Sequence, residues 1–135
     1  PKMGFEHVIP EFIRKVVKKE KFLVNGDGTE SRSFCYISDI IEEIKLITNQ
    51  SNGKNEIFNI GNPVETSINE LILELEKIYG NKISPVYTKF KNPGTKRRVP
   101  DISKIKKLGY TPKISLSNGL QKTYEWYSDY YKKIN

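Results

Sequence analysis

The 135-residue chain contains one cysteine, one histidine, one methionine and one tryptophan. A single thiol, Cys35, can form no internal disulfide, and nothing points to an oxidising compartment. Its residue type reads as a buried structural thiol. His7 is the single imidazole; no Ser/His/Asp arrangement is signalled around it, and with one cysteine at this spacing it makes no metal cluster. No apolar run approaches the length of a membrane span and no signal-peptide pattern is visible, so the expected location is cytoplasmic. Neither G-x-G-x-x-G nor G-x-x-x-x-G-K-[ST] occurs, which removes the two common glycine-rich phosphate loops.

The residues that are present describe a folded chain. Hydrophobic residues make up 36%, with 8 tyrosines and 6 phenylalanines. That composition supports a core and argues against disorder. The length suits one domain or a large piece of one. Pro1 precedes Met3 with no ordinary start before it, which fits a chain that begins inside a longer protein and equally a processed or engineered end. The net charge is +7. Its excess is local: between Lys91 and Lys107 seven basic residues face Asp101 alone, a net of +6. Such a segment seeks an anion, either a nucleic acid or the diphosphate of a small molecule.

Hydrophobic spacing predicts a helix from about His7 to Lys19, with Ile9, Phe12, Ile13, Val16 and Val17 on one stripe. A short strand over Phe22–Val24 should run into an Asn25–Gly28 turn. A second strand is predicted over Ser33–Ile37, then a helix capped by Ser38 or Asp39, with Glu42 completing a capping box and Ile40, Ile44 and Ile47 buried. Ile57–Ile60 reads as a strand. Ser67–Tyr79 reads as a helix with a Ser67/Glu70 capping box and a Gly80 stop. A strand around Ile83–Thr88, a charged loop over Lys91–Val99, a short helix after Asp101 and a final helix over Leu116–Lys132 complete the pattern. Strands and helices alternate, so the fold class is mixed α/β.

Few residues suggest chemistry individually. Gly26-Asp27-Gly28 reads as a hairpin turn. Paired carboxylates such as Glu42-Glu43 read as solvated helix faces. Arg32, at the rim of a strand, could present its fork to a phosphate or be a plain surface charge. Arg97-Arg98 has the same two readings.

Three blocks in register resemble the NAD-dependent epimerase/dehydratase family, the extended short-chain dehydrogenases that act on nucleotide sugars. Gly26 to Asp39 (GDGTESRSFCYISD) is similar to G-x-G-x-x-x-R-x-F-x-Y-[VI]-x-D. Phe58 to Leu71 (FNIGNPVETSINEL) is similar to N-I-G-N-x-x-E-x-[ST]-I-x-E-L. Arg97 to Lys104 (RRVPDISK), then Leu108-Gly109-Tyr110-Thr111-Pro112, then Leu116, Gly119 and Leu120, are similar to R-x-P-D-x-S-K, L-G-[WY]-x-P and L-x-x-G-L. Within the family the likeness is to its UDP-glucuronate decarboxylase and dTDP-glucose 4,6-dehydratase members.

The resemblance implies that residues 1–135 form the C-terminal substrate-binding part of such an enzyme. It further implies a strand and helix, within Ile57–Tyr79, that belong to the enzyme's Rossmann sheet. The N-terminal Rossmann domain, with the glycine-rich NAD loop and the Tyr-x-x-x-Lys pair, would lie outside this chain. NAD would then be held by that domain, and the isolated chain should be inactive. Arg32 and Arg98 would grip the diphosphate of the nucleotide-sugar substrate, and Leu23, Val24 and Asn25 would lie along the base. Asn25 departs from the aromatic residue many relatives carry there, which implies an altered nucleotide preference. The parent enzyme is expected to be a homodimer. A basic nucleic-acid-binding module is the alternative, resting on the +6 segment and the Tyr-rich last helix.

Overall fold

The computed structural model describes residues 7–49, 55–89 and 94–134. Helix α1 spans Val8–Val17 and packs its Phe12, Ile13 and Val16 inward. The short strand β1, Leu23–Asn25, pairs in parallel with β4, Val86–Thr88. A separate three-stranded sheet has β2, Ser31–Ser33, at its centre. On one side it pairs antiparallel with β3, Glu65–Ser67, and on the other in parallel with β5, Arg97–Arg98.

Helix α3, Ile68–Tyr79, has the predicted ends. Ser67 and Glu70 form a reciprocal capping box that satisfies amides of the first turn. Gly80 closes the helix in the left-handed conformation at φ 78°. Its Leu71, Ile72 and Leu75 meet α1 side chains and the long helix α5, Leu116–Lys133, in the main core. Leu120 and Tyr131 of α5 are buried there, and Tyr124 and Tyr127 pack against the same cluster. The tyrosine stripe of the last helix is therefore core, as its spacing indicates. A smaller cluster joins Ile102, Ile105 of α4 (Ser103–Lys106) and Tyr110, with Leu46 and Ile47 beside them.

Several expectations need correction. The second strand is Ser31–Ser33, because its ladder partners are Glu65–Ser67 and Arg97–Arg98. Residues 34–36 are irregular and lead straight into α2, Ile37–Thr48. That helix has no side-chain cap. Asp39 instead lies buried and accepts from the Lys113 and Ile114 amides, both at 3.0 Å. Glu42 forms an ion pair with Lys45 and completes no capping box. The α2 burial pattern is only partly as expected: Ile40 and Ile47 are half-buried, with Ile47 packed beside the smaller cluster, but Ile44 is exposed. Asp39 and Glu43 are buried, while Ile37, Ile41 and Ile44 are exposed.

Ile57–Ile60 forms no strand among the described residues. It is tied to the segment around α4 through side chains: Lys104 donates to the Ile57 carbonyl at 2.8 Å, and the Asn59 side chain donates to the Asp101 carbonyl at 3.1 Å. The α3 stripe expected beside it is covered by this chain's own core. The charged loop contains a structured piece, since Arg97–Arg98 adds to the sheet as β5; residues 90–93 lie outside the described set. Cys35 is half-buried, not fully buried.

Candidate substrate-binding site

One lysine ties α1 to β1. Lys15 is buried on α1, pairs with Glu11 at 2.6 Å and donates to the Leu23 carbonyl at 2.7 Å. A buried ammonium needs such partners, so this contact fixes α1 against β1. Between these elements lies a cleft of about 210 Å³. Leu23, Val24, Asn25 and Arg32, all expected from the sequence, line it, as do Glu11, Glu30 and Ile68. Val24 points into the core, whereas Leu23 and Asn25 alternate outward. Asn25 is tied to β4, accepting from the Thr88 hydroxyl at 3.1 Å.

The turn after β1 is held from outside. Asn69, on the first turn of α3, donates its side-chain amide to the Asp27 carbonyl at 3.3 Å. It accepts from the Tyr87 hydroxyl at 2.8 Å, and its backbone amide donates to the Gly28 carbonyl at 3.0 Å. Gly26 and Gly28 both have positive φ, at 88° and 80°. Asp27 is drawn inward by Thr29, whose hydroxyl donates to it at 2.6 Å. That hydrogen bond is the chief reason the Asp27 carboxyl sits below its usual range.

The two candidate arginines are brought together. In the parallel β2–β5 pair, Arg32 stands opposite Arg98. Neighbouring strands lie about 4.8 Å apart, and paired residues share a face. Arg32 donates to the Ser31 carbonyl at 2.7 Å, and Arg98 contacts the Thr95 hydroxyl at 3.4 Å. Among the described residues neither forms an ion pair with a carboxylate. Arg97 differs. One residue along the strand, it faces the opposite side and pairs with Glu65 at 2.8 Å. Lys104 is likewise paired, with Glu56 at 2.6 Å. The +6 segment is thus no uniform basic face.

Residues 2–61 match the model of the NAD dependent epimerase/dehydratase family. Curated relatives extend the likeness beyond that stretch. A putative GDP-L-fucose synthase 2 of Arabidopsis thaliana is 36% identical over 126 residues, covering 90% of this chain and 38% of the relative. The chain is related to the NAD dependent epimerase/dehydratase family. Another relative, UDP-glucuronic acid decarboxylase 1 of the same plant, is 39% identical over 119 residues, covering 84% of this chain and 26% of the relative. The fold matches a solved epimerase throughout: the UDP-glucuronic acid 4-epimerase from Bacillus cereus, in complex with UDP-glucuronic acid and NAD, superposes with a TM-score of 0.83 at 31% identity. That match covers 100% of this chain and 42% of the epimerase. The chain therefore spans less than half the length of these relatives. Among the described residues no helix is long and apolar enough to cross a membrane.

Glu65, Ser31, Asn69 and Glu30 were not singled out from the sequence. Glu65 and Asn69 fall within the second motif block, but their partners are distant in sequence and only the fold brings them near.

Proposed function

We propose that this chain is the substrate-holding part of an NAD-dependent enzyme acting on nucleotide sugars, with Arg32 and Arg98 as the diphosphate clamp. The observation that carries the reading is the cross-strand pair itself. Two guanidinium groups stand in register on one face without carboxylate partners among the described residues, while Arg97 on the other face is neutralised by Glu65. Like charges side by side repel, and a bound dianion offsets that repulsion. Arginine suits a diphosphate because its planar fork donates two parallel hydrogen bonds. The Leu23–Asn25 strand borders the same cleft as Arg32 and would lie beside the base.

NAD supplies a transient hydride acceptor in this chemistry. These 135 residues do not fit that cofactor: their one G-x-G turn, Gly26–Gly28, leads into strand β2 and not into a helix. We assign NAD to a glycine-rich βαβ unit elsewhere in the enzyme, and the 135 residues alone are expected to be inactive. Whether the sugar is epimerised, dehydrated or decarboxylated is set by groups beyond this chain.

Isothermal titration of the chain with UDP, GDP and NAD tests the reading. A nucleoside diphosphate should bind, and NAD should give no saturable heat. Each charge-assisted contact is worth about 1.5–3 kcal/mol. Arg32→Ala and Arg98→Ala should each weaken binding by roughly ten- to a hundredfold. Lys107→Ala is the control for diffuse attraction and should change little. Equal small losses for all three, vanishing with added salt, would sink the clamp and favour polyanion binding.

A further inference from the structure

We propose that Glu65 is a positioning residue for the arginine pair: it bridges Ser31 and Arg97 and so holds β5 in the register that sets Arg98 beside Arg32. The inference rests on the diphosphate reading for its functional consequence, and on geometry alone for its structural one.

The sheet shows why such a bridge is needed. β5 is two residues long and lies at the sheet edge. Outside the strand pairing, the Ser31 amide donates to the Lys96 carbonyl at 2.9 Å. Slipping a strand by one residue turns every side chain to the other face. For β5 that slip would put Arg97 where Arg98 stands and turn Arg98 away from Arg32. Backbone pairing over two residues specifies register weakly. A side-chain tie on the opposite face would specify it.

Glu65 supplies that tie. It lies on β3, on the far side of the central strand from β5. One carboxylate oxygen accepts from the Ser31 hydroxyl at 2.5 Å, and the other accepts from Arg97 Nε at 2.8 Å. One side chain thus spans all three strands. Alternation places Ser31, Arg97 and Glu65 on one face and Arg32 and Arg98 on the other. The carboxyl is held below its usual range, first by the Ser31 hydroxyl and then by Arg97, so it stays ionised across the neutral range. An exposed ion pair adds little to global stability. Its effect here is local, because it decides which of two adjacent arginines stands beside Arg32.

The sign of the effect on binding separates this role from simple electrostatics. Glu65→Gln keeps an oxygen for Ser31 but removes the charge that holds Arg97. If the arginines merely attract anions, losing a nearby negative charge should tighten UDP binding. If Glu65 sets the register, binding should weaken by about fivefold, Arg97→Gln should match it, and the double variant should lose no more. The charge-swapped pair, Glu65→Arg with Arg97→Glu, should recover most of the affinity. Amide exchange at Ser31, measured without ligand, gives an independent readout. It should accelerate in both single variants and slow again in the swap, with the melting temperature nearly unchanged. Tighter UDP binding in Glu65→Gln, or unchanged Ser31 exchange, overturns the proposal. If the unsubstituted chain binds no UDP, the diphosphate reading falls, and Ser31 exchange alone then decides whether Glu65 registers β5.

Discussion

An ideal Cβ placed on Gly28 would lie 2.0 Å from Oδ1 of Asn69. Gly28 also has a φ of +80°, which side-chain-bearing residues rarely adopt. The turn between β1 and β2 and the first turn of α3 are therefore pressed together at a glycine. Gly28→Ala should cost about 1–2 kcal/mol from the backbone conformation alone, and the clash with Asn69 adds to it. The melting temperature should drop by roughly 4 °C or more for each kcal/mol lost. An unchanged melt by circular dichroism would show that this contact is not tight in solution.

Helix α2 exposes Ile37, Ile41 and Ile44, which fall on one stripe by helical spacing. Ile57 and Val64 are exposed as well. Apolar surface of this kind promotes association. The chain should self-associate as its concentration rises, seen as a concentration-dependent sedimentation coefficient. Ile41→Lys with Ile44→Glu should suppress that association while leaving the melting temperature within about 2 °C, since neither side chain is in the core. A strict monomer at high concentration would count against it.

Glu43 is fully buried, and one of its oxygens accepts from the Gly61 amide at 2.9 Å. Burial is the main cause that raises its pKa. The protonated form is thus favoured in the folded state. Its contribution to stability is complete below the ordinary carboxylate pKa and is lost as pH rises through the raised value. Glu43→Gln keeps an acceptor for Gly61 without the charge. The variant should melt higher than the parent at pH 8, and the gap should close towards pH 4. The difference between the two proteins isolates Glu43 from carboxylates such as Glu65 and Asp101, whose pKa values are lowered and whose slopes run the other way. A gap of constant size across that range would contradict the burial argument.

Lysine at position 98 keeps the charge but loses the fork. Arg98→Lys should recover only part of the UDP affinity lost in Arg98→Ala, and that part should be the more salt-sensitive one. Full recovery, measured by titration at two salt concentrations, would show that Arg98 acts as a point charge.

Local chemistry decided a large part of this molecule. The α3 boundaries follow from Ser67, Glu70 and Gly80, because a capping box and a glycine stop act within one helical turn. The α5 stripe follows from the spacing of Leu120, Tyr124, Tyr127 and Tyr131, and the motif blocks pointed to Arg32 and Arg98. The burial of Asp39 and Glu43 on α2 could not be read this way. Asp39 resembles a helix cap in sequence, yet its acceptors are used by amides 74 and 75 residues away. Periodicity says which residues share a face, but not which face finds a partner. The same limit applies to Arg97 and Arg98. As neighbours in a charged stretch they look equivalent. Strand pairing with Ser31 and Arg32, and the carboxylate of Glu65 reaching across from β3, separate them, because a strand's two faces acquire different surroundings only once the sheet is assembled.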